Sequence, residues 1–346
     1  MTLQQLLGIS LPIIQAPMAG VQGSALTVAV SNAGGLGSLP CAMLRLDDMR
    51  KELTTIRAHT TKPFNVNFFC HAHPEFSVER ESVWRAALSP YFAEFGIDPS
   101  AIPVGPERLS FNTEAVKALA EFRPTVVSFH FGLPSADLLA RVRAFGARIL
   151  SSATTVDEAR WLEAHGVDAI IAQGLEAGGH RGMFLSGDVS TQVGTLALVP
   201  QLVQAVKVPV IAAGGIADAK GVAAAMALGA AGVQVGTAYL LCSEATTTTL
   251  HRAALKSDAA RVTALTNLFT GRPARGIMNR IMRELGPMSA VFPLAASAIA
   301  PLRAGAESLG SSDFSPLWAG QNTTGCKEVA AGALTRELAR DFVEAG

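Results

Sequence analysis

The chain has 346 residues, of which 49% are hydrophobic, and this is enough for one large α/β barrel or two smaller domains. Its 28 lysines and arginines balance 28 aspartates and glutamates, so the formal net charge is zero. Nucleic-acid-binding proteins usually carry a basic excess or stripe, and this chain has no run of basic residues. No nucleic-acid partner is therefore expected, whereas a small-molecule partner is compatible with the composition.

Eight short apolar segments recur along the chain, and segments of helical character separate most of them. This alternation predicts right-handed βαβ units and a parallel sheet, and eight such units fit an α/β fold of the (β/α)8 TIM-barrel type. A doubly wound open sheet is the alternative, ranked lower because no G-x-G-x-x-G turn follows the first strand. The predicted strands are 12–16, 35–39, 64–69, 125–131, 148–153, 169–174, 209–215 and 232–237, and the predicted helices are 23–33, 46–58, 114–122, 135–145, 155–165, 194–206 and 218–228.

Two stretches exceed what a minimal barrel needs. Residues 70–113 predict an insertion after the third strand, within a barrel that we assign to residues 1–240. Residues 241–324 follow the eighth strand and predict a mostly helical cap over the mouth of the barrel. Residues 325–346 predict a closing helix that packs back on the barrel.

Polar side chains lie near the C-terminal ends of four predicted strands, namely Asn67, His130, Gln173 and Gln234. Side chains alternate along a strand, and these four oppose apolar neighbours that would pack on the outer helices. They are therefore expected to converge at the barrel mouth, where barrel enzymes hold their chemistry. Mutual hydrogen bonding inside the barrel would explain any one of them, but the four together favour a polar ligand site.

Glycines end the last two predicted strands in a pattern that suits a phosphate. Gly214 and Gly215 end the seventh strand shortly before a helix that begins near Asp218. Gly236 and Thr237 end the eighth strand before another predicted helix. Glycines let backbone N–H groups approach an anion, and these two loops commonly hold phosphate in such barrels. Either turn alone could be an ordinary tight turn, but the pair predicts a phosphate-bearing ligand such as a flavin or a phosphosugar.

The stretch EAGGHRG (176–182) directly follows the sixth predicted strand and sets His180 after Gly178 and Gly179. We interpret the glycines as allowing close approach to a ligand, and the histidine as a functional imidazole at a strand end. A loop histidine that only hydrogen-bonds backbone is the alternative. Arg181 is either a surface charge or a group that steers anions. The other histidines are predicted to be surface or loop residues; they are His59, His71, His73, His165 and His251.

The four cysteines are scattered, with no spacing typical of a metal site, so no bound metal is predicted. The N-terminal residues lack the pattern of a secretory signal, and no uncharged apolar run is convincingly long enough to cross a membrane. These features predict a cytoplasmic protein with no membrane partner. As to assembly, we expect a monomer or a homodimer.

Motifs along nearly the whole chain resemble those of the nitronate monooxygenases, once called 2-nitropropane dioxygenases, and most of all the class often called class I. The resemblance implies an FMN-dependent barrel enzyme that oxidises alkyl nitronates with O2 to a carbonyl compound and nitrite. The motifs are PIIQAPMAG (12–20), NAGGLGSLP (32–40), FNVNFF (64–69), QGLEAGGHRG (173–182), PVIAAGGIAD (209–218), VQVGTAYL (233–240) and SPLWAGQN (315–322).

The same resemblance implies roles for individual residues. His180 matches the family's active-site histidine, described as a base or as the group that orients the substrate. His130, Phe292 and Gln321 are implied on the substrate side of the site. The implied FMN contacts are Ala16, Pro17, Met18, Asn67, Gln173, Gly178, Gly179, Gly214, Gly215, Gln234, Val235, Gly236 and Thr237.

One departure from the family pattern concerns the substrate. Where class I enzymes carry tyrosines and a lysine, this chain has Phe292, Ala296 and Ala300, and it contains only 2 tyrosines in all. This predicts a wider, more apolar pocket and a substrate bulkier than propionate 3-nitronate. An NAD(P)H-dependent FMN reductase of the enoyl or quinone type is the alternative function, because the AGGH motif also occurs in those enzymes.

Overall fold

A computed structural model of the protein describes residues 1–71, 77–102, 110–286 and 295–343. Eight parallel strands form one sheet in which consecutive barrel strands are neighbours and the first also pairs with the last, and a parallel bridge between Ile14 and Leu36 closes the ring. This confirms the predicted (β/α)8 TIM barrel. The barrel strands are β1 Ile13–Gln15, β2 Gly37–Pro40, β3 Phe64–Phe69, β4 Val126–His130, β5 Arg148–Ala153, β6 Ala169–Gln173, β8 Val210–Ala213 and β9 Gly232–Val235.

Helices alternate with these strands, and several begin at a side chain that accepts a backbone N–H. Asn112, Thr155 and Asp218 cap α5, α7 and α9 in this way, as short polar residues do. The helix predicted after the eighth strand is instead a single 3₁₀ stretch, Thr237–Leu241. The helices are α1 Leu3–Leu7, α2 Ser24–Asn32, α3 Leu46–His59, α4 Val78–Glu94, α5 Thr113–Phe122, α6 Ala136–Ala144, α7 Val156–Ala164, α8 Thr195–Ala205, α9 Ala219–Ala227, α10 Thr249–Leu255, α11 Arg280–Glu284, α12 Ala295–Ser308, α13 Ala331–Leu338 and α14 Arg340–Val343.

Alternation along the strands divides the barrel core in two. Side chains such as Val66 and Val127 point outward and pack under the ring of helices. Ile14 and Ile171 belong to a second, inner cluster with Leu3 and Leu7 of α1, which fills one end of the barrel. The polar side chains at the strand C-terminal ends are left to line the other end.

The segments outside the barrel pack on one another. Trp84 and Phe92 of α4, from the insertion, share an apolar cluster with Ala298 and Leu302 of α12. A three-stranded antiparallel sheet joins two strands of the cap to one short strand that follows the sixth barrel strand, and the prediction of a mostly helical cap missed it. Its strands are β10 Thr263–Thr266, β11 Ala274–Ile277 and β7 Gly179–His180, in the order β10-β11-β7.

The C-terminal helix α13 buries Leu334 and Leu338 in the core shared by the sheet and its helices. Across the described ranges, no helix is both long enough and apolar enough to cross a membrane.

Candidate active site

A cavity of about 430 Å³ lies at the C-terminal ends of the barrel strands. This volume is within the range typical of small-molecule sites. Its lining comes from two sources. We call the lining residues numbered up to 240 the barrel half, and those from 251 to 322 the cap half.

Most of the predicted site residues line this cavity. They are Ala16, Pro17, Met18, Asn67, His130, Gln173, Gly178, Gly179, His180, Gly214, Gly215, Gln234, Gly236 and Thr237. The four polar side chains predicted from strand alternation are thus brought together at one end of the barrel.

The structure does not place two predicted side chains in the cavity. Val235 alternates with Gln234, so its side chain points to the helix layer, and only its carbonyl meets the cavity loops by accepting from the Ala16 N–H at 2.8 Å. Gln321 has an exposed side chain, while its N–H donates to the Glu176 carbonyl at 2.9 Å. A further predicted site residue, Phe292, lies outside the described residues.

His180 is held by both its backbone and its ring. Its backbone pairs with Ala274 of β11, and its carbonyl accepts from Gln173 Nε2 at 2.9 Å and His130 Nε2 at 3.1 Å. Its ring Nε2 lies 2.9 Å from the hydroxyl of Thr270, in the turn between β10 and β11. The ring also packs against Phe69, Phe131 and Trp318, with centroids 5.9, 6.0 and 5.7 Å away. The cap sheet therefore orients an imidazole that the barrel carries.

His130 is engaged by the protein at both ring nitrogens. Burial lowers the pKa of His130 to about 4, against an opposing hydrogen bond to the His180 backbone, so the ring is neutral near pH 7. Because Nε2–H donates to the His180 carbonyl, Nδ1 accepts from the Ser152 hydroxyl at 3.0 Å. Gln173 is engaged in the same way, since its Oε1 accepts from the Gly182 N–H at 2.7 Å. Both side chains fix the loop that carries His180.

Gln234 differs from these neighbours. Its Oε1 is buried and has no hydrogen-bond partner among the described residues. Asn67, by contrast, donates from Nδ2 to the Ser128 hydroxyl at 2.9 Å. Buried polar atoms without partners are rare in native proteins, so Gln234 marks a point where a bound molecule would contribute a donor.

The phosphate-type loops have the conformation that their glycines allow. Gly214 and Gly215 have φ of 122° and 72°, a region that L side chains rarely adopt. The N–H groups of Gly215 and Gly236 donate to no other described residue. The late segment covers these loops, since Asn322 Nδ2 donates to the Gly215 carbonyl at 3.0 Å.

The glycines of EAGGHRG line the cavity and also meet constraints within the protein itself. A Cβ on Gly178 would lie 2.5 Å from the N atom of Gly320, so glycine is required there by contact with the late segment. Gly179 needs glycine for its φ of 69°, with open space around it. The close approach at Gly178 is thus between two loops of the protein itself.

Two predictions about charged or titratable residues were wrong. Arg181 is neither a surface charge nor an anion-steering group: it is 1% exposed and donates to the carbonyls of Gln173 and Gly174, both at 2.8 Å. His251 is not at the surface but lies on α10, 4% exposed, and lines the cavity. Burial is the main cause that lowers the pKa of His251 to about 4. Short-range sequence pattern carried no signal for either burial, because distant segments produce it.

The cap half is largely apolar and was mostly missed by sequence reasoning. One face of α12 presents Ala296, Ile299, Ala300 and Arg303, at the spacing of consecutive helical turns. Phe269, Phe314, Pro316 and Trp318 add to this wall. The apolar spacing in 296–303 and the SPLWAGQN motif were the available signals.

The family model for nitronate monooxygenase matches residues 1–341. The chain belongs to the nitronate monooxygenase family. It is 44% identical over 346 residues to a nitronate monooxygenase of Pseudomonas aeruginosa, which covers 98% of both proteins.

Solved structures agree with this membership of the nitronate monooxygenase family. A nitroalkane oxidase from Streptomyces ansochromogenes has a TM-score of 0.89 and 39% identity, covering 99% of this chain and 98% of that one. FabK from Thermotoga maritima is less similar, with a TM-score of 0.73 and 27% identity over 99% and 96% of the two chains. The chain is thus an oxidoreductase of a family that acts on nitronates or nitroalkanes.

The described lining of the cavity carries no negatively charged side chain. No aspartate or glutamate is among the described lining residues, so no carboxylate repels an anion there. In the part of the chain that the structure describes, no three histidine, cysteine or acidic residues are grouped to hold a metal ion.

Proposed function

We propose that the protein catalyses FMN-dependent oxidation of alkyl nitronates by O2 to a carbonyl compound and nitrite, with substrates bulkier and more apolar than propionate 3-nitronate. One observation carries the proposal: His180, oriented by both the barrel and the cap, shares a cavity with an unpartnered Gln234 Oε1 and two glycine loops. Membership of the nitronate monooxygenase family supports the same reaction.

The residues present fit FMN. The edge of a flavin ring presents N–H groups and carbonyls, so it can supply the donor that Gln234 Oε1 lacks. The N–H groups of Gly215 and Gly236 are available to donate to a phosphate. The loops after the last two strands of such barrels commonly bind phosphate. When bound, FMN would supply the acceptor for the electrons of the substrate carbanion.

The chain's own residues would place the substrate. His180 would orient a nitronate, or remove the α-proton of a neutral nitroalkane, a form of help typically worth ~10²–10⁴-fold in rate. Gln173, His130 and Thr270 keep this imidazole in place through the contacts at 2.9, 3.1 and 2.9 Å. Proximity of this kind lowers the entropic cost of reaching the reactive geometry.

The size preference follows from the cap half. Ala296 and Ala300 face the cavity from α12 where larger side chains would narrow it. Together with Ile299 and Phe314 they form a wall that can bury a hydrocarbon chain. We therefore expect hexyl nitronate to have a higher kcat/KM than propionate 3-nitronate.

The test begins with the visible spectrum of the purified protein after reconstitution with FMN, followed by assays of nitrite and O2 uptake with hexyl nitronate. We expect a yellow protein that forms nitrite. Gln234→Leu should weaken FMN binding by about tenfold, because a buried polar contact is lost. Gln321→Leu, at an exposed glutamine, is the matched control and should bind FMN normally. A colourless protein that takes up no FMN would overturn the proposal.

A further inference from the structure

Unpartnered buried atoms point to a second ligand contact in the same cavity. Among the described residues, the buried side-chain atoms without a partner are Asn65 Oδ1, Gln234 Oε1, Thr247 Oγ1 and His251 Nε2. Two of these residues, Gln234 and His251, line the cavity. Since native proteins satisfy nearly all buried polar atoms, both positions call for a partner that the described residues do not supply.

The two residues belong to different halves of the cavity. Gln234 stands at a strand end of the barrel half, where FMN is proposed, whereas His251 stands on α10 in the cap half. The cap half that His251 lines is mostly apolar and includes Ile299, Ala300 and Phe314. A molecule that satisfies His251 must therefore combine a hydrocarbon body with a polar group.

The charge around His251 selects the kind of polar group. Arg303 is the charged residue that lines the described cap half, and its Nε pairs with Glu307 at 2.8 Å. The Glu307 carboxylate compensates the charge of the Arg303 guanidinium, and it also accepts from the Ser315 hydroxyl at 2.6 Å. Burial is the first cause that lowers the pKa of His251, against an opposing hydrogen bond to the Trp318 backbone, and the nearby Arg303 also lowers it, so the ring is neutral near pH 7. A buried carboxylate would lack a counter-charge there, whereas a hydroxyl needs none.

We infer that His251 is a specificity-determining residue that hydrogen-bonds a hydroxyl at the far end of the substrate, while the substrate's hydrocarbon body lies along α12. This rests on the proposed function and names its substrate class as hydroxyalkyl nitronates. A neutral imidazole offers one donor and one acceptor; because the His251 ring donates to the Trp318 backbone, the unpartnered Nε2 is the acceptor, and a substrate hydroxyl can donate to it.

The test compares matched nitronates from propyl to hexyl, each unsubstituted, with a terminal hydroxyl or with a terminal carboxylate. Nitrite formation gives kcat/KM, and calorimetry measures binding of the parent nitroalkanes and nitroalcohols to the FMN-loaded protein. For at least one chain length, the hydroxyl should raise kcat/KM and affinity by roughly tenfold over the unsubstituted compound, the usual effect of satisfying a buried polar atom.

His251→Phe should abolish this preference while turnover of the unsubstituted nitronates persists, and His251→Gln should restore part of it. His165→Phe replaces an exposed histidine stacked on Trp161 and should behave as wild type. A preference that survives His251→Phe, its absence at every chain length, or a preference for the carboxylate would overturn the inference. Calorimetric hydroxyl preference that depends on His251, without any nitronate oxidation, would instead reject the proposed function and retain the inference.

Discussion

The two halves of the cavity differ in what their polar side chains do, although each half holds one buried atom without a described partner, Gln234 Oε1 in the barrel half and His251 Nε2 in the cap half. In the barrel half, Gln173 uses both ends of its amide and His130 both ring nitrogens within the protein. In the cap half, apolar side chains line the cavity together with His251, whose Nε2 has no partner among the described residues. We infer that the barrel half holds the reacting groups in a fixed geometry, whereas the cap half selects which substrate binds.

Replacing His180 would break this comparison most severely. In His180→Ala we expect kcat/KM for a neutral nitroalkane to fall by ~10²–10⁴, because the general base is lost, with a smaller fall for the already deprotonated nitronates and FMN binding retained. Nitrite formation and the flavin spectrum measure the two effects. His165→Ala is the matched control. Full turnover in His180→Ala would remove the catalytic role from this residue.

Gly178→Ala tests the loop contact that joins the two halves. The new Cβ would meet the N atom of Gly320 at 2.5 Å, and we expect the free energy of unfolding to fall by about 1–3 kcal/mol. Gly187→Ala is the control, since no atom lies within 4 Å of its added Cβ. Urea denaturation measures the free energy of unfolding of both variants. Equal values for Gly178→Ala and Gly187→Ala would contradict the close contact at Gly178.

Acid should destabilise the protein through its buried, neutral histidines. His130 and His251 have a pKa lowered to about 4, below the ordinary value of 6.5, so the unfolded chain binds protons first as the pH falls. The free energy of unfolding that depends on these neutral histidines is fully present above pH 6.5 and decreases as the pH falls toward 4. At pH 5 the decrease is roughly 2 kcal/mol per histidine. Urea denaturation at pH 7 and pH 5 should show a smaller loss in His251→Phe and an unchanged loss in His165→Phe. A loss of the same size in His251→Phe would refute this assignment.

Thr270→Val asks how much the cap contributes to the chemistry of the barrel half. The variant removes the hydroxyl 2.9 Å from His180 Nε2, and we expect kcat to fall by about fivefold, the worth of one hydrogen bond. Its pH profile should also shift, because the imidazole loses a partner. Thr270→Ser keeps the hydroxyl and should restore both kcat and the profile. An unchanged profile in Thr270→Val would limit Thr270 to packing.

The barrel and much of its site could be predicted from sequence because both follow from short-range pattern. Buried parallel strands produce continuous apolar runs, and strand alternation alone brought Asn67, His130, Gln173 and Gln234 to one end. The same rule argued against the side chain of Val235, which alternates with Gln234 and packs under the helices. The family resemblance implies Val235 as an FMN contact only because it covers the whole run from Gln234 to Thr237.

The parts that could not be predicted depend on contacts between distant segments. β7 has two residues, too few for any periodicity, and it exists because β11 pairs with it. His251 hydrogen-bonds the backbone of Trp318, the Arg181 N–H donates to the Pro273 carbonyl, and Gly178 is required by Gly320. Hydrophobic pattern reports which face of an element is buried, but not which remote loop covers a polar residue.

The central claim, that this cavity oxidises nitronates through FMN, is tested most directly by mixing the FMN-loaded protein anaerobically with hexyl nitronate or with NADH. We predict rapid loss of the flavin absorbance with the nitronate and none with NADH. Loss of absorbance with NADH alone would contradict the account and favour a nicotinamide-dependent reductase.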